Sequence, residues 1–241
     1  MSVVARALPS AVSEGVNKDT RSDLYGNMGV IDYAVNPKAM ADEGSYFVGV
    51  NAASGTAITA SIATAYSATA SGFIALRNTA ASGSTKRVYV DFIKLICAVA
   101  PVNATDWKAV VDIDTVLTRF TSGGTAITPK NANVGSSTAA SALLNAGALT
   151  TVAISSAGIS LGQTDLRRAI PVIGDEYLFV FGSPSNTSAS IALNGTAPTK
   201  YVINYPPAVL PAQAALVLSL FGTAHDTTAS QYFVQVGWSE R

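Results

Sequence analysis

The sequence predicts an all-β fold, an antiparallel β-sandwich or barrel, and three observations indicate it. Short runs of β-branched and aromatic residues recur from Gly44 to the last residue. Glycine, proline and asparagine separate these runs at close spacing, as they do in sandwiches and barrels. No segment keeps the apolar period of a long helix, and no repeat of 20–50 residues is evident.

The first 43 residues differ from the rest and predict an extended N-terminal arm before a sandwich domain over residues 44–241. Charged residues cluster here, and the apolar residues follow no clean period. Gly26, Gly29 and Pro37 interrupt the only stretch with helical character. Two interpretations stay open for this segment: a frayed terminus, and an arm that clamps a neighbouring subunit.

The sandwich domain contains eight to ten predicted strands. In chain order the predicted strands are Tyr46–Val50, Gly72–Arg77, Lys86–Ala100, Trp107–Phe120, Ala126–Pro129, Thr150–Ile159, Glu176–Phe181, Lys200–Tyr205, Ala214–Phe221 and Gln231–Trp238. The glycine pair of residues 122–125 predicts a turn, and residues 137–144 predict a short helix. The well-alternating last strand predicts a C-terminus that is held in the sheet.

Two predicted strands, Lys86–Ala100 and Ala214–Phe221, are apolar on both alternating faces. A strand that is apolar on both faces is covered on both faces, and in a sandwich only one face meets the core. A subunit interface is the natural cover for the second face. The residues predicted to lie in such an interface are Tyr89, Ile93, Leu95, Leu216, Leu218, Leu220 and Trp238.

Charged residues make up only 12% of the chain, against about 25% in ordinary globular proteins. Such a neutral surface favours a protein that packs against copies of itself or against a larger shell. Fifteen basic and fifteen acidic residues leave no basic excess, so we expect no nucleic-acid partner. No run approaches the ~20 apolar residues of a membrane helix, and we expect neither a membrane partner nor a signal peptide.

The residue types that carry catalysis are scarce, so we expect no enzyme, no cofactor and no metal. The one histidine, His225, sits beside Asp226 in a predicted solvated loop, and no nucleophile motif accompanies it. The one cysteine, Cys97, lies in an apolar strand as a small hydrophobe. Asp112 and Asp114 share one strand face, which we interpret as solvated rather than as a cation site. Neither nucleotide-binding glycine motif is present.

Three stretches together resemble a group of tailed-phage virion proteins: TSGGTAITPKNAN (121–133), LRRAIPVIGDEYLFVFG (166–182), and residues 205–241 from YPPAVLPAQAALVLSLF to SQYFVQVGWSER. The resemblance covers about residues 70–241, and its motifs are packing and turn motifs. It implies a head-associated decoration (cement) protein with a jelly-roll-like sandwich. A homotrimer on the capsid surface, with the major capsid protein as partner, is the expectation that follows.

Two other functions stay open. A tail-fibre or receptor-binding sandwich that recognises host glycan predicts a shallow, aromatic-lined site in the distal loops. A phage-borne depolymerase predicts two acids whose loss abolishes activity. Neither has a motif of its own in the sequence.

Overall fold

The computed structural model describes residues 21–22, 28–29, 37–51, 56–61, 63–103, 105–167, 169–182, 187–189, 198–223 and 228–241. The chain divides into two units, Met1–Asn36 and Pro37–Arg241. In the first unit, Arg21–Ser22 (β1) and Met28–Gly29 (β2) pair as antiparallel strands. The rest of the predicted arm up to residue 36 lies outside the described residues, and so does His225.

A short helix, Pro37–Asp42 (α1), opens the second unit. Its Met40 is fully buried, and the Met40 carbonyl accepts a hydrogen bond from the Ser45 amide (2.9 Å). The guanidinium of Arg241 also reaches the Met40 sulfur (2.7 Å). The compact unit therefore begins at Pro37, earlier than the predicted boundary at Gly44, because this turn of helix packs against the end of the chain.

The remaining elements are almost all strands. In chain order they are Tyr46–Val50 (β3), Ile58–Thr59 (β4), Gly72–Asn78 (β5), Val88–Val99 (β6), Thr105–Asp114 (β7), Phe120–Ile127 (β8), Lys130–Asn131 (β9), Ala142–Thr151 (β10), Ile159–Arg167 (β11), Glu176–Phe181 (β12), Thr187–Ala189 (β13), Lys200–Tyr205 (β14), Ala208–Leu210 (β15), Ala215–Thr223 (β16) and Gln231–Glu240 (β17). A 3₁₀ turn, Leu117–Arg119, precedes β8. No helix in these ranges is long and apolar enough to cross a membrane.

Two sheets pack face to face. The six-stranded sheet has the order β11-β7-β16-β5-β10-β8. The nine-stranded sheet has the order β13-β14-β12-β6-β17-β3-β9, with β15 also on β6 and β4 also on β17. The predicted all-β sandwich is confirmed. One pairing departs from the antiparallel expectation, since β12 and β14 run parallel, and the jelly-roll form of the sandwich stays a prediction.

The core lies between the sheets and draws large side chains from both. The ring of Phe73 on β5 meets that of Tyr232 on β17 edge to face, 5.5 Å between centroids. Trp238 and Phe47 stack beside each other on neighbouring strands, 6.2 Å apart. Because its ladders with β6 and β3 run almost to the last residue, β17 holds the C-terminus in the sheet, as predicted.

A β-bulge changes which side chains of β6 face the core. Opposite β17, Phe92 pairs with Gly237 while Val90 pairs with Trp238, so Asp91 is an extra residue. An extra residue reverses the alternation beyond it. Val90 before the bulge and Ile93 after it therefore both point inward. Apolar residues occur at both odd and even positions of β6 partly because the bulge shifts which positions face the core.

Strand β16 is buried at every position from Ala215 to Gly222, as its two-sided pattern predicts. The cover on its outer side comes from the chain itself. Residues 63–71 lie over it: Ala63 packs with Phe221, and the ring of Tyr66 lies 6.1 Å from that of Phe221. Val217, on the same outer side, packs with Phe120.

Four local predictions are wrong. The predicted strand Trp107–Phe120 ends at Asp114, and Phe120 already belongs to β8. The predicted helix at 137–144 is a loop that leads into β10, where Ala142, Leu144 and Ala146 are the buried members of a period-2 pattern. The predicted strand Thr150–Ile159 ends at Thr151, and β11 begins only at Ile159. The predicted turn at 122–125 is the middle of strand β8. Gly123 and Gly124 adopt positive φ angles there, and β8 pairs irregularly with β10.

Candidate interaction surface

The carboxylate of Asp112 is buried, which corrects the prediction of a solvated strand face. Asp112 and Arg119 form an ion pair of 3.1 Å, and both side chains are 1% exposed. The Tyr66 hydroxyl donates to the same carboxylate (2.7 Å). Burial and this hydrogen bond raise the pKa of Tyr66 to about 12. The cluster fastens the covering segment 63–71 to the six-stranded sheet.

Asp114 is also fully buried and has a separate structural task. Its two carboxylate oxygens accept hydrogen bonds from the amide and the hydroxyl of Ser155, both at 2.6 Å. These bonds hold the loop that joins β10 to β11. Throughout the described part of the chain, no group of three or more His, Cys, Asp or Glu side chains is placed to hold a metal ion.

A second buried ion pair joins Arg167 to Asp175, with 2.8 Å between Nη1 and Oδ2. The amides of Val172 and Thr199 donate to the same carboxylate, each at 2.8 Å. Cys97 is buried near this pair. Burial, followed by the nearby Asp175 charge, raises the pKa of the thiol to about 12. The thiol therefore stays protonated at neutral pH, whereas a nucleophilic cysteine works as the thiolate.

Glu240 joins the two sheets at the end of β17. Its carboxylate accepts hydrogen bonds from the amides of Ser141 and Ala142 at the start of β10, and from Trp238 Nε1. Burial by itself acts to raise the pKa of Glu240. The hydrogen bonds outweigh it, and the pKa is lowered.

The structure relocates the predicted interface residues. Ile93, Leu95, Leu216, Leu218, Leu220 and Trp238 are all completely buried, and all belong to the core of their own chain. Their burial needs no neighbour, so these six side chains are core residues rather than interface residues. Tyr89 alone of the predicted set is partly exposed. The bulge in β6 turns Ile93 and Leu95 inward, and the three leucines lie on the core side of β16, whose outer side carries Val217 and Phe221.

The surface that does remain open is the outer side of the nine-stranded sheet. Alternate residues of β3, β6, β12, β14 and β17 are partly exposed there, while those between them are buried. We name these outward apolar side chains the apolar face: Val48, Val50, Phe92, Ile96, Leu178, Val180, Val202 and Phe233.

Strand register makes the apolar face continuous. Val180 lies opposite Phe92, and Phe92 opposite Gly237, which itself lies opposite Val48. The Phe92 ring occupies the space that a side chain at Gly237 would fill. Ile96 lies opposite Phe233 in the same way. Sequence reasoning assigned Phe92 and Ile96 to one face of a two-sided strand but did not single them out. No local signal could single them out, because the bulge at Asp91 that turns them outward is not visible in the alternating pattern.

Four charged groups on the same side of the five strands are already partnered. Lys94 and Lys200 both contact Glu176, at 3.2 and 3.6 Å. Asp91 accepts a hydrogen bond from the Tyr46 hydroxyl (2.7 Å), and burial, with this bond to the carboxylate, raises the pKa of Tyr46. These two acids and two lysines cancel, and Lys130 on β9, opposite Val48, adds one exposed positive charge at the border of the apolar face.

A cleft of about 900 Å³ opens between β3, β4 and the edge strand β8. The described residues around it combine aliphatic side chains, Val48, Val50, Ile58 and Ile127, with hydroxyl side chains such as Thr56, Thr59, Thr125 and Thr128. Lys130 is the one charged residue among them, and none of them is aromatic. Such a lining offers no stacking platform for a sugar ring.

These features define a class: a compact all-β sandwich whose buried charges are structural and whose open surface is the apolar outer side of one sheet. Comparison of the chain with protein-family models, curated proteins and solved structures found no match. A proposal of function therefore depends on the fold, the open surface and the sequence.

Proposed function

We propose that this chain is a non-enzymatic structural protein of a phage virion, a decoration (cement) protein that binds the capsid surface as a homotrimer. The single observation that carries the proposal is the apolar face. A sandwich with eight neighbouring apolar side chains on one outer sheet surface, two of them exposed and six partly exposed, is completed by another protein. The resemblance of residues 70–241 to head-associated phage proteins points in the same direction.

The arrangement of charge supports binding rather than catalysis. The acids in the structure with the deepest burial, Asp112, Asp114 and Asp175, each hold a loop or a covering segment. A hydrolase of the depolymerase kind needs two carboxylates that flank an open site. The cleft beside β8 has no acid among its described residues. The glycan-binding alternative calls for aromatic side chains in such a site, and this cleft does not favour it.

In this proposal the mechanism is burial. Specific interfaces bury about 1,600 Å² in total, and binding at many symmetry-related positions multiplies a modest affinity. Residues 1–36, the N-terminal unit, would supply the arm that reaches the shell or the next trimer.

The direct test is where the protein lies in an imaged virion. The proposal predicts density of the size of this sandwich on the outer capsid surface, at positions with threefold symmetry. Density confined to the tail fibres, together with binding on a glycan array, would replace it with the receptor-binding function.

A deletion tests the arm separately. Removal of residues 1–36 leaves Met40 and its contacts with the end of β17 intact, so the sandwich is expected to unfold at the same temperature. Co-sedimentation with undecorated capsids is expected to be lost. If the truncated protein still decorates capsids, the arm is not the anchor.

A further inference from the structure

We infer that the apolar face is where a second copy of this chain packs. The inference deepens the proposed function, since it rests on the proposed self-association and names the surface responsible. It replaces the interface predicted from the sequence, whose residues lie almost entirely in the core.

The two sheets differ in how much they leave for a partner. On the six-stranded sheet, residues 63–71 and the turn before β8 cover the central strands, and β16 is buried from Ala215 to Gly222, while Leu143 on β10 and Ile159 on β11 remain exposed. On the nine-stranded sheet no described segment does this. Val50 is 48% exposed and Val202 is 40% exposed, at opposite borders of the apolar face. The open surface therefore extends across the whole width of the five strands.

The size of the face suits a protein partner. The five strands are 5 to 12 residues long, with a mean near eight. Strands lie about 4.8 Å apart and rise about 3.3 Å per residue, so the face measures roughly 24 by 26 Å. A footprint of about 600 Å² corresponds to one partner's share of a small specific interface, for which the total begins near 1,200 Å².

The charges favour an identical partner over a charged one. Asp91, Glu176, Lys94 and Lys200 cancel, and each has a partner within its own chain. With Lys130 on β9 the excess is a single positive charge, too small to recruit a nucleic acid, an anionic membrane or an acidic protein. Two copies of a chain with zero formal net charge approach without electrostatic repulsion. Their paired charges are already partly neutralised before the interface removes water from them.

The test is the molar mass of the full chain by light scattering after size-exclusion chromatography, over a range of concentrations. Two variants place a charge on the face: Val202→Lys at its border and Phe233→Lys near its middle. Val134→Lys is the matched control, because Val134 is 99% exposed and lies outside the face. Thermal unfolding of each variant checks that it is folded.

The wild-type chain and Val134→Lys are expected to share a mass of more than one chain. Both face variants are expected to associate at least about tenfold more weakly, since a lysine buried in the contact would lack a partner. A wild-type chain that stays at the mass of one chain overturns the inference. So does an oligomer that both face variants leave unchanged. Val202→Lys keeps the test valid if Phe233→Lys fails to fold, because Val202 is already exposed in the single chain.

The outcomes separate this inference from the proposed function. An oligomer that dissociates in the face variants but is absent from the virion surface supports the inference and overturns the cement function. If capsids are decorated by an oligomer that the face variants do not weaken, the cement function is supported and the inference is overturned. A mass of two chains would support the apolar face as the contact surface and would replace the proposed trimer with a dimer.

Discussion

The two sheets of this sandwich differ in how the outer side of their central strand is covered. The central strands of both, β16 and β6, have apolar residues at odd and even positions. In the six-stranded sheet, the chain folds residues 63–71 back over the second side and fastens them with a buried ion pair. In the nine-stranded sheet, the second side stays open as the apolar face. A strand that is apolar on both sides is therefore expected to be covered on both sides. Its sequence does not indicate whether the same chain or another chain supplies the second cover.

The most direct test of this difference is to place one lysine on the outer side of each sheet. Val217 on β16 is fully buried, while Val202 on β14 is 40% exposed. Val217→Lys is expected to lower the free energy of unfolding by about 4 kcal/mol, because a longer charged side chain would be buried against Phe120, and Asp112 opposite it is already paired with Arg119. Val202→Lys is expected to change it by about 0.5 kcal/mol or less. Urea unfolding measures both. Similar losses would show that the two outer sides are alike.

Removal of the fastening should have the next largest effect. Arg119→Ala leaves Asp112 buried without its cation, and we expect a loss of about 3 kcal/mol in urea unfolding. The double variant Arg119→Met with Asp112→Asn removes both charges and is expected to be more stable than Arg119→Ala. If Arg119→Ala costs less than about 1 kcal/mol, the cover does not depend on this pair.

A smaller, pH-dependent effect is expected where the sheets are joined. The pKa of Glu240 is lowered in the folded chain from an ordinary value of 4.5. Its contribution to stability is therefore complete above that ordinary pKa, and it is lost as the pH falls through the lower pKa of the folded state. Glu240→Gln is expected to lower the free energy of unfolding by about 1 kcal/mol at pH 7 and to reduce its dependence on pH below 5. An unchanged pH profile of urea unfolding in the variant would contradict this assignment.

Much of the fold could be predicted from local patterns. Strands such as Glu176–Phe181 and Lys200–Tyr205 were predicted with the bounds that the structure has, because alternating burial repeats with the period of a strand. The errors at 122–125 and 137–144 have different local origins but the same tertiary cause. Glycines favour a turn at 122–125 and an alanine- and serine-rich stretch suggested a helix at 137–144, yet β8 pairs with β10, and β10 also pairs with β5.

The candidate surface was only half predictable. The sequence indicated an apolar surface beyond the core, but it placed that surface on Leu216, Leu218 and Leu220, which are buried in the core. The extra residue at Asp91 reverses inside and outside along β6, and an alternating pattern read without its register cannot reveal this. The burial of Asp112 was missed for a related reason, since its partner Arg119 is supplied by a turn outside the strand.

By itself, the sequence determined that the chain forms strands, that they alternate and end where they do in its best-patterned segments, and that few of its side chains are charged. These properties depend on residue type and on a short period. The tertiary structure alone decided which apolar sides are covered within the chain and which remain open. That decision depends on strand register, a bulge and a loop that folds back from far along the chain. Such long-range contacts leave no local mark in the order of the residues.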